Sequence, residues 1–221
     1  ISSGAITSTG LSVDGGTIKL DGNYPVGTLN LGMGDTALDS LDAAAYYNVA
    51  FGPRALTTQT TGNSNTAVGQ DAMRYNQTSS NNSAFGTNAL GASTTGSNNV
   101  ALGRSALAAN TTASNNTAVG YQSLLVNTTG ANNTAIGYKA LDANTTGGNN
   151  VSIGHGTLGN NTTGGSLVAI GQGSMSANTE GEFNVAIGRD SLAANTTASN
   201  NTAVGYQSLY ANTTGTSNTA V

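Results

Sequence analysis

A glycine returns every 17 residues. Gly52, Gly69, Gly86, Gly103, Gly120, Gly137, Gly154, Gly171, Gly188 and Gly205 stand in register over ten successive rows, with no insertion or deletion between them. A repeat of this regularity limits the fold more than composition does, because each row is one structural unit that buries its apolar groups only by stacking on its neighbours. Rows counted from Ala50 place these glycines in column 3. The second column is apolar throughout, from Phe51 and Val68 to Ile187 and Val204, and the seventh is Leu or Met, from Leu56 to Leu209. Both apolar columns are expected to face the interior.

Seventeen residues with two apolar anchors, and Val, Ile and Thr around the first, suit short strands joined by turns. A two-helix repeat needs about 33 residues and a 3.6-residue apolar stripe, and neither occurs. The Asn-Thr-Thr-Gly segments, such as Asn144–Gly147, supply corner chemistry: Asn bonds its own backbone, and Gly reaches left-handed conformations freely. Column 3 is Gly in every full row, which predicts positive φ or close backbone approach there. Column 13 relaxes to Ser79, Ala113 and Ala198, so it cannot strictly require Gly. The fold class expected is all-β, a parallel β-solenoid with 17-residue coils.

The pattern decays upstream but persists. Gly32 to Leu38 fits the first seven columns, and one extra residue precedes Ala50. This gives a β-rich cap or the end of a preceding fibre domain at 1–31, a degenerate first coil at 32–49 and ten regular coils at 50–219. Val221 stands in the second column of a new row, so the stack is expected to continue past it. The block from Ala109 to Leu124 recurs from Ala194 to Leu209, five rows on, as expected of a spacer whose length changes by duplication.

Composition narrows the function. Charged residues are 7% of the chain and the formal net charge is −4, which excludes the basic footprint of a nucleic-acid binder. There is no cysteine for a disulfide or a thiolate metal site. No apolar run is long enough to cross a bilayer. Carboxylates are scattered, and the close pair Glu180 and Glu182 reads as a solvated turn rather than the facing carboxyls of a glycosidase. The lone His155 has no second ligand in its row. The expectation is a non-enzymatic chain without cofactor or metal.

The run Asn-Thr-Ala-Val-Gly-Tyr-Gln-Ser-Leu (residues 116–124) and its variants resemble the head repeats of trimeric autotransporter adhesins. The longer unit, with its Asn-Thr-Thr-Gly extension, is similar to repeat arrays of bacteriophage tail fibres. The resemblance covers 32–221. It implies a left-handed β-roll assembled as a homotrimer, other fibre or tail proteins as partners, and a place on a virion tail fibre or extracellular appendage. The function expected is a structural shaft that projects a receptor-binding tip for host attachment. The alternatives are an adhesin head that binds host surfaces along its flank and an ice-binding solenoid using threonine ladders. Adjacent Thr residues in columns 11 and 12 point to opposite faces, so one column alone could meet ice.

One surface feature remains. Tyr121, Tyr138 and His155 occupy column 4 of three consecutive coils, so they are expected to stack about 4.8 Å apart on the outer surface. They are the candidate binding residues, with a host-surface glycan as ligand. The recurrent Asn-x-Thr sequons read first as corner residues.

Overall fold

The computed structural model describes residues 18–20, 29–42 and 44–221. Most of the segment assigned to a cap, 1–17 and 21–28, lies outside the described residues. Among the described residues one sheet of thirteen strands runs the length of the molecule, in sequence order and without a helix. It begins with β1 (Ile18–Leu20), β2 (Leu31–Met33) and β3 (Val49–Phe51). Strands β4 (Thr66–Val68) to β13 (Thr219–Ala220) follow at the repeat interval. All pairs are parallel from β2 onward, and β1 lies antiparallel on β2. Gly32 pairs with Ala50 and Ala50 with Ala67, so the degenerate coil is the first turn of the solenoid.

Each coil contains one strand of three residues, and the other fourteen columns are turns. The turns are nevertheless laddered from coil to coil. Leu124 N–H donates to Ala140 O at 2.9 Å, Thr128 N–H to Thr145 O at 2.9 Å and Lys139 N–H to Tyr121 O at 3.0 Å. The backbone closes so tight a loop by visiting positive φ repeatedly. Column 3 glycines lie at φ 122 to 139, and columns 5, 7 and 15 do so with ordinary side chains, as at Gln122 (53), Leu124 (53) and Asn132 (61). A left-handed residue other than Gly costs about 1–2 kcal/mol. For the column-7 leucines, complete burial offsets this.

The interior differs from the expectation in one respect. Column 7 is inside, with Leu56 to Leu192 fully buried, but column 2 is outside. In a three-residue strand the centre and its two neighbours point to opposite faces. The centre is column 1, Ala or Ser, which is completely buried, so columns 17 and 2 flank it on the outer face. The enclosed space is already filled by the column-7 side chains and by asparagine, which leaves room for a methyl group.

Two asparagine columns complete the interior. In column 10, Asn144 Nδ2 donates to Asn127 Oδ1 at 2.8 Å and to Gly147 O at 2.9 Å, and the same pair of bonds recurs from Asn127 to Asn195. In column 16, Asn133 N–H donates to Asn116 Oδ1 at 2.9 Å while its Nδ2 donates to Gly147 O at 2.9 Å. These ladders satisfy corner carbonyls that would otherwise be buried without partners, which is the condition for burying an amide. Ser93 interrupts the first ladder, its hydroxyl buried without a partner, and Leu167 interrupts the second.

Candidate functional site

Three surfaces are built by the columns that the interior does not use. The first is the outer face of the sheet, formed by columns 17 and 2. Val100 is 41% exposed, Leu102 49% and Phe85 40%, and the rest of column 2 is half-buried or exposed. From Val49 to Val204 this face carries Val, Ile, Leu, Phe, Thr and Ser and no charge. A strand with one apolar face is ordinary. Here both faces are apolar or small, and one of them is uncovered.

The second surface is column 4. Tyr121, Tyr138 and His155 do come together: the tyrosine rings stack with centroids 5.4 Å apart and planes 17° apart, and Tyr138 and His155 stack at 5.0 Å and 7°. The coil spacing forces this contact on neighbouring aromatics of one column. The Arg104 guanidinium lies 5.9 Å from the Tyr121 ring centroid and Lys139 Nζ 5.9 Å from that of Tyr138. Both faces of the Tyr138 ring are thereby engaged by its neighbours, and the edges of the rings point to solvent. A sugar stacks on an aromatic face, so this arrangement offers a glycan hydrogen-bonding edges rather than a flat platform.

The third surface carries the exposed Thr column 12 and the exposed Asn column 15, at the corners. Column 11 is different: Thr128 Oγ1 donates to Thr145 O at 3.0 Å and Thr145 Oγ1 to Thr162 O at 3.0 Å, so these hydroxyls serve the coil stack. One threonine column faces solvent. The sequons divide likewise, since Asn110 and Asn127 are buried in column 10 while Asn115 and Asn132 are exposed in column 15. Glu180 and Glu182 are exposed on a corner beside the exposed Phe183.

Charge is sparse and local. Arg54 donates to both carboxyl oxygens of Asp71 in the next coil, Nε to Oδ1 at 2.6 Å and Nη2 to Oδ2 at 2.7 Å, with Arg74 3.5 Å away. These hydrogen bonds hold the Asp71 carboxyl below the usual carboxylate range. Burial pushes Asp142 the other way, above that range, and Lys139 partly opposes it. No group of three His, Cys, Asp or Glu among the described residues is placed to hold a metal ion. No helix among them is long and apolar enough to cross a membrane.

The candidate surface that the sequence reading missed is the outer sheet face. The signal was present: in each row the small Ala or Ser of column 1 stands between two larger or equally small residues, and in a strand those two share a side. No family model matches the chain, and neither a curated protein nor a solved structure matches it.

Proposed function

We propose that this chain is the shaft of a homotrimeric surface fibre, of the kind carried by a phage tail or a similar appendage. It holds a receptor-binding tip away from the particle and does no chemistry of its own. The observation that carries this reading is the uncovered face of columns 17 and 2, apolar throughout column 2, Val, Thr or Ser in column 17, and free of charge over ten coils. An extended stripe of this kind needs a partner with the same axial repeat, and a further copy of the same chain has it. Covering the outer residue of column 2 contributes on the order of 1–2 kcal/mol per coil and chain. Repetition along the shaft multiplies that gain. The number three comes from the resemblance to trimeric rolls, and a closed cyclic arrangement leaves no stripe exposed.

The adhesin reading is favoured by the column-4 stack, whose phenol, imidazole and cationic groups line one flank. Removing residues 118–202 from the full fibre joins Thr117 to Ala203 and deletes five coils, including that stack. A spacer loses about 24 Å of length, at about 4.8 Å per coil, and still attaches to its host. Loss of attachment by an assembled, shortened fibre would overturn the spacer reading in favour of flank binding.

A further inference from the structure

We propose that the axial register between the chains is set by the N-terminal half of the outward column, at Phe51, Phe85 and Leu102, and that the four-coil isoleucine run beyond it does not discriminate register. The inference rests on the trimer reading. A shaft made of one repeated contact has many slipped assemblies that keep every bond within each chain and lose only one coil of overlap for each coil of slip. Register is weakly specified wherever such a face is uniform.

Column 2 is uniform in one half alone. From β8 (Thr134–Ile136) to β11 (Val185–Ile187) it reads Ile in four coils running, beside Thr or Val in column 17. A slip of one coil there exchanges isoleucine for isoleucine. From β3 to β6 (Val100–Leu102) it reads Phe, Val, Phe, Leu. Phe85, the larger residue, shares its strand with Ser83, the smallest of column 17, so the two compensate within one layer.

A slip of one coil sets Phe85 against the Thr66 and Val68 layer and leaves a void, or against the Val100 and Leu102 layer and overfills it. Voids and overpacking are both costly. A slip of two coils matches Phe51 to Phe85 but sets Phe85 against Val119 and Val68 against Leu102. Only zero slip matches all four layers, so the short irregular stretch fixes the position of the long regular one.

The chain has no cysteine, so introduced ones report unambiguously. Chains carrying Thr117→Cys and chains carrying Thr134→Cys are folded together at full length and oxidised, and the disulfides are separated by peptide mass. A disulfide needs Cα atoms within about 7 Å, and a one-coil offset adds about 4.8 Å, so like–like bonds report zero slip and mixed bonds a one-coil slip. With the column intact, mixed bonds are expected at no more than about a tenth of like–like bonds. In chains that also carry Phe51→Val, Phe85→Val and Leu102→Val, which leave the interior untouched, the mixed fraction is expected to rise at least about fivefold. Ile153→Val with Ile170→Val should leave it unchanged. A trimer whose mixed fraction ignores the N-terminal substitutions, or responds equally to the isoleucine pair, overturns the register assignment alone. A trimer that forms no interchain disulfide removes the face from the axis, and a monomer by light scattering overturns the trimer reading and the assignment together.

Discussion

Replacing Asn144 by alanine tests whether the buried amide ladder holds the coils together. In the native chain Asn144 Nδ2 donates to Asn127 Oδ1 at 2.8 Å and to Gly147 O at 2.9 Å, and its Oδ1 accepts from Asn161 Nδ2 at 3.0 Å. Gly147 O keeps the bond from Asn133 Nδ2, and Asn161 Nδ2 keeps its bond to Gly164 O. The substitution therefore strands one acceptor, Asn127 Oδ1, and one N–H of Asn161, both on completely buried side chains. At about 1–3 kcal/mol for each buried group left without a partner, the loss is about 2–6 kcal/mol. The matched control is Asn149→Gly, at an exposed column-15 position of φ 60, where glycine adopts the backbone freely and one exposed bond of 3.3 Å is given up. It is expected within about 0.5 kcal/mol of wild type. Native-state hydrogen exchange reads the difference locally. The amides of Thr128 and Thr145, which bridge the coils on either side, should exchange about 30-fold faster or more in Asn144→Ala. Equal protection in the two variants would refute the claim that the ladder is structural.

Two other predictions follow from column geometry and charge. Gly137→Val is expected to lower the melting temperature more than Gly147→Ala: a Cβ at Gly137 meets Gly154 O at 2.5 Å and Gly154 C at 2.7 Å, at φ 136, where a β-branched residue is strongly disfavoured. Gly147 is free of positive φ, yet its Cβ would press on Gly164 O and Asn144 Oδ1, so alanine there still costs about 1–2 kcal/mol even though Ala113 and Ala198 fill the same column elsewhere. Equal melting shifts would contradict the column argument. Asp142, whose carboxyl burial raises, binds its proton more tightly folded than unfolded, so its charge destabilises the fold once pH rises above the usual carboxylate range. Asp142→Asn should therefore raise the melting temperature at pH 7 and have no effect in acid below that range; the reverse order would remove burial as the cause.

The solenoid, its 17-residue step and the demand for glycine in column 3 were legible because each appears as an exact recurrence in sequence. What hydrophobicity alone misplaced was the interior. Reading Ile136 as inward and Asn144 as a corner residue follows from polarity, but the coil is too narrow for that arrangement. Ala135 takes the inward place because it is the centre of a three-residue strand, and Asn144 goes inside because corner carbonyls such as Gly147 O need its amide. The left-handed leucines of column 7 were also illegible, since leucine carries no local signal for positive φ and the stack imposes it. Column 4 behaved as its spacing required, and the ring stacking followed from the repeat.

The most direct test of the account is the mass of the folded chain in solution by multi-angle light scattering, without a fused oligomerisation domain. A single species of three 21.8 kDa chains that persists on dilution is expected, because every coil contributes an apolar residue in column 2. A folded, stable monomer at micromolar concentration, with the face of columns 17 and 2 open to solvent, would contradict it.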